Sequence, residues 1–128
     1  MVQVPIIVFF SIIAIWFFYV QHQHEESYKQ WKGNWEYLLS AIKGSTYYKL
    51  PKPMMWLTGN IGFHHIHHLS SLIPSYNLEK CNRDHPIFQK YVTILSFRKS
   101  LECIFHKLWD ENTQRMISFS EYKKMYAS

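Results

Sequence analysis

The sequence predicts a mainly α fold, with one transmembrane helix followed by an α-helical cytosolic region. Three observations carry that expectation. Val4 to Val20 is an uncharged apolar run, VPIIVFFSIIAIWFFYV. Beyond it, apolar residues recur at helical spacing between polar ones. The tract His64-His65-Ile66-His67-His68 then places four imidazoles in five residues.

Taken in order, the apolar run comes first. Its 17 residues, as a helix, would span about 25 Å at ~1.5 Å per residue. Met1 to Gln3 and the interface-loving Trp16-Phe17-Phe18-Tyr19 complete a bilayer crossing. A secretory signal is disfavoured, because no basic residue precedes the run and no small-residue cleavage site follows it. A buried helix of a soluble protein is the other competitor. Gln21-His22-Gln23-His24-Glu25-Glu26 marks emergence from the bilayer. Trp35, Leu38, Leu39 and Ile42 then form a stripe at i, i+3, i+4 and i+7, predicting an amphipathic helix capped by Asn34 and closed by Gly44.

Leu50-Pro51-Lys52-Pro53 breaks the chain, and Met54 to Leu69 reads as the next helix, interrupted at most by Gly59 and Gly62. Ile73-Pro74-Ser75 ends that unit. Ser75 or Asn77 is expected to cap a short helix through Cys81, which His85-Pro86 stops. Leu95, Leu101, Ile104, Phe105 and Leu108 suggest a helix over Thr93 to Trp109, Met116 to Phe119 a short strand, and Ser120 to Ser128 a frayed tail. The organisation expected is a transmembrane helix over 1–20, a histidine-bearing cytosolic region over 21–95, and a C-terminal cytosolic helix and tail over 96–128.

Every charged residue lies beyond position 24, and together they sum to +5. Lys29, Lys32, Lys43, Lys49 and Lys52 place the C-terminal part in the cytoplasm by the positive-inside rule. The basic residues are scattered among acidic ones without a nucleic-acid motif, so no nucleic-acid partner is expected; attraction to a membrane surface is the simpler account. Cys81 and Cys103 are far apart and form no CxxC pair, which indicates no disulfide framework. No phosphate loop or Ser-His-Asp arrangement is present in the sequence.

On a helix, His64, His67 and His68 stand at i, i+3 and i+4, within about 100° of arc, so three imidazoles share one face. Metal ligation is the chemistry that pattern serves, and imidazole suits iron, copper, zinc and nickel alike. His65 lies about 60° round the helix from His68, which fits a donor to a ligand as well as a ligand. His22 leaves the membrane helix at a depth suited to a fourth ligand, whereas His24 points to another face. His85 and His106 are isolated, and Glu25-Glu26 reads as a solvated pair. A zinc protease would need HExxH, and His65 and Ile66 occupy the intervening positions instead. The missing carboxylate disfavours hydrolysis, and oxygen-activating iron fits a dense imidazole site at a membrane better.

Residues 64–68 match HxxHH, the third histidine box of the membrane-bound fatty acid desaturases. The surrounding segments WFFYVQHQHEESY, NWEYLLSAIKGSTYYKLP and WLTGNIGFHHIHHLSSLIPSYNL resemble the last membrane helix and cytosolic region of the bacterial acyl-lipid members. The similarity runs from about Ala14 to Leu78, with a fainter echo at LWDENTQRMISF.

The resemblance implies a di-iron, O2-dependent enzyme that introduces a cis double bond into an acyl chain. Its partners would be membrane lipid acyl chains and an electron donor, ferredoxin or a cytochrome b5-like protein. His64, His67, His68 and His22 carry over as iron ligands. The family's other two boxes, HxxxH and HxxHH, are absent; His24 stands where the family has Phe, and Ser71-Leu72 replaces its Pro-Arg. Two irons need more donors than these four imidazoles. The expectation is therefore a C-terminal fragment, inactive alone, that lacks the N-terminal part of the enzyme and begins at an internal methionine. The alternatives are a hydroxylase of the same superfamily and a single-span membrane protein that binds one metal without catalysis.

Overall fold

The computed structural model describes residues 1–126, and the fold is mainly helical. Helix α1, Gln3–His22, is long and apolar enough to cross a membrane. It is exposed along nearly all its length and becomes buried only at Val20 and Gln21. That pattern suits a helix whose body faces lipid and whose last turn enters a folded region. There, Trp16, Phe17 and Tyr19 pack against a core of Val20, Tyr48, Leu50, Met55, Phe63, Ile66, Leu78, Leu95 and Cys103.

After α1 a 3₁₀ turn, Lys32–Asn34, precedes α2, Tyr37–Lys43. The amphipathic helix thus exists but starts three residues after its expected Asn34 cap, because Trp35 and Glu36 are extended. Gly44 closes it as expected, donating its N–H to the Ser40 carbonyl. Strand β1, Thr46–Lys49, follows and was not expected from the sequence. It pairs in parallel with β2, Thr93–Ser96, in the register Thr46 opposite Thr93. On its other side the Tyr48 N–H donates to the Gly62 carbonyl at 2.8 Å, and Tyr47 stacks on Phe63.

Between the paired strands run α3, Lys52–Leu57; α4, His64–Leu69; α5, Leu78–Asp84; and α6, Ile87–Tyr91. The continuous helix expected over Met54 to Leu69 is therefore two helices. Gly59 and Asn60 take φ of 62° and 59°, a left-handed pair that ends one helix before the next can start. Asn60 is held there by donating its side-chain amide to the Ser75 carbonyl. Ser75 and Asn77 lie in a 3₁₀ turn, and neither side chain caps α5, which continues past Cys81 to Asp84.

The helix expected over Thr93 to Trp109 is also divided. Thr93, Ile94 and Leu95 extend to pair with β1, as the β-branched Thr93 and Ile94 favour, and Ser96 caps a short α7, Phe97–Glu102. Leu108–Asp110 forms β3, antiparallel to β4, Arg115–Ile117, slightly ahead of the strand expected at Met116 to Phe119. The frayed tail is instead α8, Phe119–Tyr126, whose first turn is held by Glu121 N–H donating to the Ser118 hydroxyl. The expectation for Ala127 and Ser128 falls outside the described residues. The β3–β4 hairpin docks on the chain leaving α1, with the Met116 N–H donating to the Glu25 carbonyl at 2.8 Å.

Candidate metal centre

Two helix ends meet at the histidines. His22 closes α1, and α4 begins at His64, with Phe63 accepting the first backbone bonds of that helix. Burial of Ile66 on the opposite side of α4 turns His64 and His68, one helical turn apart, toward α1. The two elements are tied at the same level by Gln21, whose side-chain amide donates to the Ile61 carbonyl at 2.8 Å. Tyr37 of α2 places its hydroxyl 2.8 Å from the His68 carbonyl and 3.1 Å from that of Leu69, closing the far end of α4.

The Nε2 atoms of His22, His64 and His68 form a small triangle. Its sides are 2.9 Å between His22 and His64, 3.1 Å between His64 and His68, and 3.4 Å between His22 and His68. Donors about 2.1 Å from one ion stand about 3.0 Å apart at right angles and about 3.4 Å apart in a tetrahedron. The triangle therefore has the dimensions of three ligands on one face of a metal ion, and the positions opposite that face are left to other donors.

The protonation states agree. His22 Nδ1 lies 3.2 Å from the Gly44 carbonyl oxygen, which can only accept, so this contact selects the tautomer of the neutral ring in which Nδ1 holds the proton and Nε2 the lone pair. Burial, followed by the neighbouring His68, His22, His67 and His65, pushes His64 down to about 3. His68 is lowered by burial and then by His22 and His67. Both rings are therefore neutral at physiological pH, the form that binds metal. Imidazole-only donors suit iron, copper, zinc or nickel.

Of the four residues singled out from the sequence, His22, His64 and His68 converge. His67 stands beside them, its ring 5.8 Å from that of His64 and 6.2 Å from that of His68, and lies outside the triangle. His65 turns away into the interior, fully buried, and burial lowers it to about 4. It faces Thr46 and Asn82, but neither contact closes to hydrogen-bond geometry. His24 is also buried without a partner and is lowered to about 4, first by burial and then by His22 and Lys29. It lines a small cavity of about 110 Å3 with Glu25, Glu26, Glu102, Cys103 and His106. The Gly44 carbonyl and Tyr37, which orient the site, carry no sequence signal of that role.

Residues 1–98 match the family model "Fatty acid desaturase". The chain is 43% identical over all its 128 residues to a protein of Bacillus subtilis (strain 168) named "Fatty acid desaturase", and spans 36% of that protein's length. No solved structure matches the chain. With a match over most of its length and the histidine-bearing segment inside it, the chain belongs to the fatty acid desaturase family.

Proposed function

We propose that this chain furnishes one side of the di-iron site of an O2-dependent acyl-lipid desaturase that introduces a cis double bond into an acyl chain. The observation that carries the reading is the Nε2 triangle, which joins the end of an apolar, membrane-length helix to the HxxHH helix. His22, His64 and His68 would hold one iron, and His67, beside the triangle, would serve the second. Four imidazoles are too few for two such ions, so the remaining donors come from polypeptide outside these 128 residues, and the chain alone is inactive.

Iron, when bound, supplies the activation of O2 that an unactivated C–H bond requires. The chain's own residues would position it: Gly44 fixes the donor tautomer of His22, Gln21 ties the end of α1 to the segment entering α4, and Tyr37 of α2 holds the far end of α4. The apolar core beneath, with Phe17, Tyr48 and Ile66, excludes water on the protein side of the site. Overall, the acyl chain loses two hydrogens, and O2 takes these with two electrons and two protons to leave two waters. The electrons come from ferredoxin or a cytochrome b5-like donor. The lysines beyond α1 set the histidines on the cytoplasmic side.

The test is complementation. Expressed with the part of the Bacillus relative that the chain does not span, it restores double bonds to membrane lipids, while the chain alone with iron, donor and lipid forms none. Robust turnover by the chain alone refutes the division of the site. Hydroxylated rather than unsaturated product favours a hydroxylase. A second reading, a single-span protein that binds one metal without catalysis, is favoured by the three donors meeting within this chain. Tight binding of one ion together with failed complementation would select it.

A further inference from the structure

The path of the chain around the end of α1 points to a second membrane contact. Gly44 lies against His22, at the last turn of α1. Four residues later Tyr48 packs edge-on against Phe17, with ring centroids 5.5 Å apart. Between those two anchors α1 rises about 7.5 Å, at ~1.5 Å per residue. Strand β1 therefore climbs back along α1, toward the apolar body of that helix. On the return, Ile61 meets Gln21 and His64 meets His22. Helix α3, Lys52–Leu57, is the apex of this excursion.

The apex has the surface chemistry of a bilayer interface. Met55 is buried, holding α3 to the fold, while Trp56 and Leu57 are 81% and 76% exposed and Met54 is exposed beside them. Lys49 precedes the apex and Lys52 opens it, both exposed, and among the described residues neither pairs with a carboxylate. From Tyr37 to Leu78 the sequence contains no Asp or Glu, only Lys43, Lys49 and Lys52. An uncompensated positive charge beside exposed Trp and Leu complements anionic headgroups over acyl chains.

We propose that α3 is an interfacial helix: Met54, Trp56 and Leu57 enter the headgroup–acyl boundary of the leaflet from which α1 emerges, and Lys49 and Lys52 contact lipid phosphate. This rests on α1 spanning the membrane. It would fix the histidine centre a short distance below the lipid surface by two anchors rather than one.

The experiment is tryptophan quenching of the full chain in vesicles of phosphatidylcholine and phosphatidylglycerol with brominated acyl chains, comparing Trp56→Phe, Trp16→Phe and Trp31→Phe. Trp31 lies outside α1 and α3, donating to Glu111 at the turn of the hairpin. Loss of a bromine-quenched share of emission in both Trp56→Phe and Trp16→Phe, but not in Trp31→Phe, is the expected result. Loss in Trp16→Phe alone overturns the α3 contact and leaves the span intact, whether Trp56 then proves open to aqueous iodide or sequestered by protein. Loss in neither overturns both. Lys49→Glu with Lys52→Glu should reduce the Trp56 share in vesicles containing phosphatidylglycerol and leave it unchanged in pure phosphatidylcholine; an unaltered share in the anionic vesicles removes the phosphate contact.

Discussion

The segment that wraps the end of α1, residues 44–69, and the C-terminal hairpin and helix, residues 107–126, treat polar groups in opposite ways. In the first, His64 Nδ1, both nitrogens of His65 and the Thr46 hydroxyl are buried without partners. In the second, Arg115 lies between Glu25 and Glu121, and Asp110 accepts from Thr113 and Tyr126. Unpaired burial costs free energy, so a fold keeps it where something other than stability is served. The paired groups of the hairpin secure a local structure; around α4 that pairing is given up, beside the point where the His22, His64 and His68 Nε2 atoms converge.

Removing one donor from the triangle should have the largest effect on that contrast. His64→Ala, titrated with iron(II) or cobalt(II) in detergent under anaerobic conditions, is expected to lose metal affinity by about 100-fold or more. His22→Ala should match it, although the two lie 42 residues apart in sequence. His67→Ala should stay within a few-fold for the first ion bound. Equal losses in His67→Ala and His64→Ala would mean that the sequence spacing, not the observed triangle, defines the site.

Acid should then separate the two regions. His24, His64 and His65 are held at about 4, 3 and 4 in the folded chain, against 6.5 when unfolded. Above pH 6.5 both states are neutral there, and these groups add no pH dependence. Below it the unfolded chain takes up protons that the folded chain refuses, so stability falls by about 1.4 kcal/mol per pH unit for each histidine, until the folded values near 4 are reached. Glu121 behaves in the other sense: Arg115 lowers its carboxyl, so its contribution persists at neutral pH and is lost only below the ordinary carboxylate range near 4.5. Hydrogen exchange of the metal-free chain should show α4 amides opening between pH 6.5 and 5 while β3–β4 stays protected. Simultaneous opening would show one cooperative unit.

The membrane-length helix, the HxxHH helix and the position of His22 beside it were legible because each rests on local chemistry: hydropathy, spacing, and emergence from an apolar run. What was missed depends on partners. Tyr47-Tyr48 becomes a strand only because Thr93 to Ser96 lies beside it, and that segment gives up helical periodicity for the same pairing. His67 and His68 both fit the sequence pattern, but only the approach of α1 decides that His68 joins the triangle. Helix α8 was within reach, since Ser118 and Glu121 form a capping box whose hydroxyl bond is observed. The left-handed Asn60 that divides α3 from α4 had a weaker signal in Thr58-Gly59-Asn60.

Gly62 offers a smaller, mechanical test. A Cβ there would meet the Tyr48 carbonyl and stand 2.6 Å from the Met55 sulfur, so β1 or α3 would have to shift. Gly62→Ala is expected to destabilise the chain by about 2 kcal/mol, read as a lower thermal midpoint in detergent. It should also weaken metal binding, because the displaced backbone leads directly into α4. Gly33→Ala, where a Cβ meets nothing within 4 Å, should change neither.

The smallest effect belongs to Arg115→Ala. Its partners Glu25 and Glu121 sit at 3.0 Å and 2.5 Å, yet the Arg115 side chain is 31% exposed and Glu25 53%. Such pairs contribute less than about 1 kcal/mol and are screened by salt. The hairpin would remain docked through the backbone bond from Met116 to Glu25, which the substitution leaves in place. Metal affinity should be unchanged and the thermal midpoint slightly lower, the difference vanishing at high ionic strength. A tenfold loss of metal affinity in this variant would mean that the hairpin helps to position the end of α1, and the two regions could no longer be assigned separate tasks.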